Sequence, residues 1–247
     1  MTTTTPRFKR ILLKISGEAL MGDQGFGIKP EVVGKICEEV KQAHVLGVDI
    51  AIVVGGGNIF RGVQNSTKLG MDRAAADYVG MTATIMNALV LQGVLQNKKV
   101  ENRMMTAIGM DRVAEPYIRK RAIRHLEKGR VVVFGGGTGN PFFSTDTTSA
   151  LRAAEINAEV ILMAKNGVDG VYDKDPKTNA DAVKFDRLTY DEVLRRNLKV
   201  MDQTAISLCK ETKLPIICFD FNAENAILNL LQGQHLGTII ASEEWQG

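Results

Sequence analysis

Apolar positions recur along the chain in two alternating rhythms. Short unbroken runs, RILLKI (10–15), DIAIVV (49–54), RMMTAI (103–108), RVVVF (130–134), EVILMA (159–164), LPIICF (214–219) and GTIIA (237–241), read as strands. Between them lie stretches of helical spacing. Over 30–46, Val32, Val33, Ile36, Val40 and Ala43 share a face, with Pro30 suited to the first turn and Gly47 to the end. The same reading predicts helices over 71–97, 116–128 and 145–155, and one ending at Gly233. Thr189 and Glu192 have the spacing of a capping box at the start of a further short helix. The polar stretch NGVDGVYDKDP (166–176) reads as turns.

Unbroken apolar strands are those buried on both faces, and strands alternating with helices predict a mainly parallel sheet covered on both sides. Nothing in the composition marks a second domain. Residues 1–247 are therefore expected to form one domain, with 1–8 as a disordered tail.

Three strands end alike, in ILLKISG, AIVVGGGN and VVVFGGGTGN. In open parallel sheets ligands bind beyond the carboxyl ends of the strands, so three such loops would converge on one crevice. A glycine there can serve only to let the next helix pack closely. These junctions also carry Lys14, Ser16, Asn58, Arg61, Thr138, Asn140, Ser144 and Thr145, the residue types of a phosphate cradle, whose backbone N–H groups bind anions.

Composition narrows the setting. Hydrophobic residues make up 45% and charged residues 24%, enough apolar side chains for a sizeable core. The formal charge of +3 is interspersed, and the cluster Arg119, Lys120, Arg121 and Arg124 reads as a solvated helix face rather than a nucleic-acid patch. Cys37, Cys209 and Cys218 are too few and too scattered for a disulfide framework or zinc site, which fits a reducing cytoplasm. The start MTTTTPRFKR has no apolar core behind its basic residues and is not expected to act as a signal peptide, and no segment is expected to have the roughly 20 apolar residues a membrane helix needs.

Familiar chemistries fail letter by letter. GxxxxGK[ST] is absent, and GxGxxG breaks at Phe60 and Phe142, so neither a P-loop nor a Rossmann or protein-kinase glycine loop is present. His44, His125 and His235 have no serine or cysteine signature beside them, and no metal-ligand spacing occurs. What remains is a reaction needing little acid–base help. Phosphoryl transfer is one, since its catalysis is mainly positioning and charge stabilisation.

Taken together, KISGEAL (14–20), GDQGFG (22–27), VVGGGNIFRG (53–62), GMDRAAADYVGM (70–81), GTGNPFFSTD (137–146), GVDGVYDKDP (167–176) and LKVMDQTA (198–205) resemble the amino acid kinase superfamily, and within it the bacterial uridylate (UMP) kinases. The motifs span nearly the whole chain in the family's order. The resemblance implies a three-layer α/β/α sandwich that phosphorylates UMP to UDP with ATP, with Mg²⁺ bridging the ATP phosphates and no metal site in the protein itself. It further implies a homohexamer, GTP activation and UTP inhibition.

Residue by residue, it places Lys14, Ile15, Ser16, Gly17, Gly57 and Arg61 at the ATP phosphates, and Asn166, Tyr172 and Asp175 around the adenosine. Asn166 and Gly167 stand where threonine and lysine are frequent in relatives, a departure on the adenine side. Gly56, Asp77 and Thr138, Gly139, Asn140, Pro141, Phe142, Phe143, Ser144 and Thr145 match the UMP site, with packing as the other reading of the two phenylalanines. Asp202 resembles the acid that orients catalytic lysines elsewhere in the superfamily; a helix-starting aspartate is its other reading. Gly22, Asp23, Gln24, Gly25, Phe26 and Gly27 match a segment linked to GTP activation, or form a plain surface turn. A uridine-nucleotide sensor without turnover, and a superfamily kinase acting on a carboxylate or carbamate, are the rival functions.

Overall fold

The computed structural model describes residues 5–61 and 69–246. Arg10–Ile15 (β1) and Asp49–Val54 (β2) run parallel at the centre of a nine-stranded sheet. On one side of them lie Val131–Gly135 (β5), Asn102–Thr106 (β3) and the edge strand Glu115–Pro116 (β4). On the other lie Val160–Lys165 (β6), Ile216–Asp220 (β10), Thr238–Ile240 (β11) and Arg187–Leu188 (β9). Among the described residues every pairing in this sheet is parallel except β10 with β11. Val171–Tyr172 (β7) and Lys184–Phe185 (β8) form a separate antiparallel pair.

The helices are Gly17–Met21 (α1), Pro30–Val45 (α2), Arg73–Asn97 (α3), Arg119–Glu127 (α4), Thr145–Glu155 (α5), Tyr190–Arg195 (α6), Gln203–Thr212 (α7) and Ala226–Leu231 (α8). Side chains of a strand alternate between faces. Ile11, Leu13 and Ile15 enter the core under α2, α3 and α8, while Leu12 enters the core under α5 and α7. Lys14, two residues on from Leu12, therefore faces the α5/α7 layer. The expected three-layer sandwich is the observed fold.

Differences from the sequence reading have local causes. The expected helix over 116–128 starts at Arg119, because Glu115 and Pro116 extend as edge strand β4, where a proline that cannot donate to the ladder is tolerated. Helices α1 and α7 were not foreseen from spacing. Residues 1–4 of the expected tail lie outside the described residues; its far end is ordered, since Phe8 is buried and the Arg7 N–H donates to Leu231 O at 2.7 Å. The expectation that no segment has membrane-spanning length and hydropathy fails for α3, which has both but seats its buried stripe on β5 and β3 as a core helix. Burial pushes the Cys37 and Cys209 thiols up to about 12 and Cys218 to about 11, leaving all three inert.

Candidate active site

At the carboxyl end of β1 the chain turns straight into α1. Ser16 caps it, its hydroxyl accepting from Ala19 N–H at 3.2 Å. Lys14, only 7% exposed, pairs through its ammonium with Asp146 Oδ1 at 2.9 Å. Asp146 stands in the first turn of α5, whose cap Ser144 accepts from the backbone N–H of Asp146 and Thr147. Asp202 completes the group. Its backbone N–H donates to Asp146 Oδ2 at 3.3 Å, its carboxylate accepts from Thr147 Oγ1 at 3.0–3.1 Å and from the Ser144 hydroxyl, and it caps α7 through Ala205 N–H at 2.8 Å. The lysine's direct partner is thus Asp146. Asp202, matched to that orienting role, reaches Lys14 only through Asp146, and its helix-starting role is present as well.

The loops after β1 and β2 touch. A Cβ on Gly17 would lie 2.5 Å from Gly57 N, so glycine alone permits the approach. Arg61 lies back over this loop, with Nε donating to Gly57 O at 3.4 Å and Nη2 2.8 Å from Glu18 Oε1. Gly62, the end of the GGGNIFRG motif, lies outside the described residues. Residues 22–27 form an exposed turn, fastened where Gly27 N–H donates to Asn58 O at 2.9 Å.

The loop after β5 starts at Gly136, whose left-handed φ of 77° suits glycine and whose N–H donates to Thr84 Oγ1 at 2.8 Å. Asp77, on α3, accepts from Phe142 N–H at 2.8 Å and pairs with Arg73 at 3.0 Å. Gly56, Gly57, Asp77, Phe143, Ser144 and Thr145 line one cleft of about 170 Å³. Thr138 and Asn140 face an adjoining hollow on the other side of Phe143. Phe142 and Phe143 are 65% and 51% exposed, so their reading as packing residues does not hold.

Tyr172 and Asp175 line a separate cleft of about 400 Å³ with Asp173 and with Lys165, Lys174, Arg196 and Lys199, so basic side chains outnumber acidic ones there. The Tyr172 hydroxyl donates to Asp169, which raises its pKa. Asn166 is not in that cleft. It accepts from Asn222 Nδ2 at 2.9 Å and lines a hollow with Gly22, Asp23 and Lys29, apart from the two residues it was grouped with.

Sequence reasoning passed over Asp146, Thr147, Glu18 and Asn87. Asp146 carried a signal, an acid two residues past a serine cap at a strand-to-helix junction; the other three had none beyond their place in a helix. Among the described residues no three His, Cys, Asp or Glu side chains gather as a metal site.

A buried lysine at the carboxyl end of β1, paired with a carboxylate at a helix start and flanked by glycine loops, marks the candidate site of an α/β/α sandwich with a mainly parallel sheet. Residues 9–220 match the amino acid kinase family. The chain is 56% identical over 237 residues to the uridylate kinase of Limosilactobacillus reuteri, covering 96% of this chain and 98% of that one. Its fold matches the crystal structure of UMP kinase from Bacillus anthracis with a TM-score of 0.93 and 44% identity, covering 96% of this chain and 97% of that one. UMP kinase from Ureaplasma parvum matches with a TM-score of 0.89 and 38% identity, over 95% and 99% of the two chains. The chain belongs to the amino acid kinase family, in its uridylate kinase branch.

Proposed function

We propose that this nucleoside monophosphate kinase transfers the γ-phosphoryl group of ATP to the 5′-phosphate of UMP, giving UDP and ADP. The observation that carries the reading is Lys14, held 2.9 Å from Asp146 where the loops after β1, β2 and β5 meet. A phosphate oxygen of UMP is the nucleophile and is already ionised, so no general base is required. Lys14 would stabilise charge on the oxygens passing between donor and acceptor. Gly17, Gly57 and Arg61 would hold the ATP phosphates, with Ile15 and Ser16 shaping that turn and Tyr172 and Asp175 beside the adenosine. Gly56, Asp77 and the loop 138–145 would hold UMP, with Phe142 and Phe143 presented to the base.

Mg²⁺ brought in with ATP would supply charge neutralisation at the phosphates. The hard oxygen donors of Asp146 and Asp202 fit such an ion, which binds through one or two carboxylates plus phosphates.

The finer parts of the reading rest on the family resemblance. They are GTP activation through residues 22–27, UTP inhibition, a homohexamer, a cytoplasmic place in pyrimidine nucleotide biosynthesis, and a single domain. The fastening of Gly27 to Asn58 supports the first, and the exposed Tyr78, Val79 and Met86 on α3 support self-association. A coupled ADP-release assay with Mg·ATP over UMP, CMP, dTMP, AMP and GMP tests the central claim. UMP is expected to be strongly preferred, since a polar site left unpaired by the wrong base costs about 1–3 kcal/mol per group. Comparable efficiency with CMP removes the specificity claim. The same assay with added GTP or UTP reads the regulation.

A further inference from the structure

Asn87 stands midway along α3 with no exposed surface. A buried amide in a helix interior is unfavourable by propensity and costly unless fully hydrogen-bonded. Here it is. Its Nδ2 donates to Gly55 O at 2.7 Å and to Asn58 Oδ1 at 2.7 Å, and its Oδ1 accepts from Asn58 Nδ2 at 3.1 Å. Asn58, also buried, sends Nδ2 on to Gly27 O at 2.8 Å, and its own backbone O accepts from Gly27 N–H at 2.9 Å. The orientation of both amides is set by the carbonyls of Gly55 and Gly27, which can only accept.

The consequence is geometric. The loop 55–58 has few side chains of its own to anchor it. Its carbonyl at Gly55 is tied to the middle of a 25-residue helix, and its far end at Asn58 is tied to turn 22–27. Gly17 rests against the same stretch, where a Cβ would lie 2.7 Å from Asn58 Oδ1 and 2.5 Å from Gly57 N. An apolar plug would have filled the space under the loop without fixing its register. A reciprocal amide pair fixes it, because each bond is directional.

We propose that Asn87 is a positioning residue for phosphoryl transfer. Paired with Asn58, it clamps the loop carrying Gly56, Gly57 and Arg61 to α3 and to turn 22–27, and so sets where that loop meets the phosphates. Asn87 touches no substrate itself; it acts through Gly55 and Asn58. The inference rests on the kinase reading for its effect on turnover, and on the fold alone for its effect on the loop.

The test compares Asn87→Leu and Asn87→Asp with Leu91→Ala, a cavity one turn further along the same buried stripe. Steady-state kinetics for UMP and ATP are taken at a temperature where circular dichroism shows each protein folded. Both Asn87 variants are expected to lose about 10²-fold in kcat, the scale of a misplacement of about 1 Å, with KM changed much less. Leu91→Ala is expected to stay within about twofold of the parent, because its cavity leaves the loop in register. Hydrogen exchange at the amides of residues 55–58 should quicken in the Asn87 variants and not in Leu91→Ala. Should Asn87→Leu not fold, Asn58→Asp, which loses the donor to Gly27 O, is read on the same measurements. A folded Asn87 variant with kcat within about threefold of the parent, or an equal loss in Leu91→Ala, overturns the proposal. A parent with no turnover of UMP overturns the kinase reading alone, and the exchange measurement then still decides whether Asn87 holds the loop.

Discussion

Replacing Lys14 by Met keeps the aliphatic stem and removes the charge. Two separate effects follow from where the lysine sits. In the transition state an ammonium aimed at the transferring group is lost, and removing one such preorganised donor costs about 10²–10³ in kcat. In the ground state Asp146 loses its partner at 2.9 Å. Stranding one member of a fully buried pair costs about 3–5 kcal/mol. Asp146 keeps the Asp202 N–H, and its side chain is 23% exposed, so we expect the smaller cost of about 1–3 kcal/mol. For a chain of this size each kcal/mol lowers Tm by roughly 2–4 °C. Lys14→Met/Asp146→Asn removes the stranded carboxylate, so it should recover most of the Tm and none of the activity. Turnover is read by coupled ADP release and stability by thermal unfolding. KM for UMP should change little, because the loss lies in the transition state. A folded Lys14→Met enzyme within about threefold of the parent kcat would refute the mechanism.

Two further outcomes can be checked on the same footing. Gly17→Ala would bring a methyl group to 2.5 Å from Gly57 N, where backbone rather than a pliant side chain must yield; we expect about 1–3 kcal/mol of destabilisation in denaturant titration and a fall in kcat/KM, and unchanged kinetics would mean the two loops need not touch. Burial raises the Glu39 carboxyl above its ordinary value, against the Ile227 N–H and the charge of Lys35, so the native chain holds this proton more tightly than the unfolded one. Glu39 therefore favours the fold at low pH, and that contribution is lost as pH rises from the ordinary glutamate range through the raised value; Glu39→Gln should flatten this fall as pH rises above the ordinary glutamate range, and an unchanged slope would count against it.

Most of the sheet could be read from the chain because its strands are unbroken apolar runs and its helices follow a single period. The glycine junctions told which edge carries the site. What stayed hidden depends on contacts distant in sequence. The pairing of Lys14 with Asp146 spans β1 and α5, and the choice of Asp146 over Asp202 turns on which helix start faces Lys14. Asn87 lies inside an apolar helix pattern where an amide registers only as a weak helix former. The separation of Asn166 from Tyr172 and Asp175 follows from the chain passing from β6 into β7, a turn whose path no periodicity describes.

The ion pairs of the site divide by burial, and the division matches what each side chain would have to do. Arg61 and Glu18 meet at 2.8 Å but are 43% and 54% exposed, a pair worth about 0–1 kcal/mol. An incoming phosphate can take Arg61 from Glu18 at little cost and gain a charge-assisted contact in exchange. Lys14 is the opposite case. Its pair with Asp146 is largely shielded from water, Asp146 is held in turn by the Asp202 N–H, and Asp202 is held by Thr147, Ser144 and the start of α7. A lysine so confined needs little of the binding energy to aim it. The exposed, weakly paired arginine thus suits capture of phosphate and the buried, firmly paired lysine suits the transfer step. Exchanging the two roles would give either a lysine too loosely held to favour the transition state or an arginine too tightly paired to receive ATP.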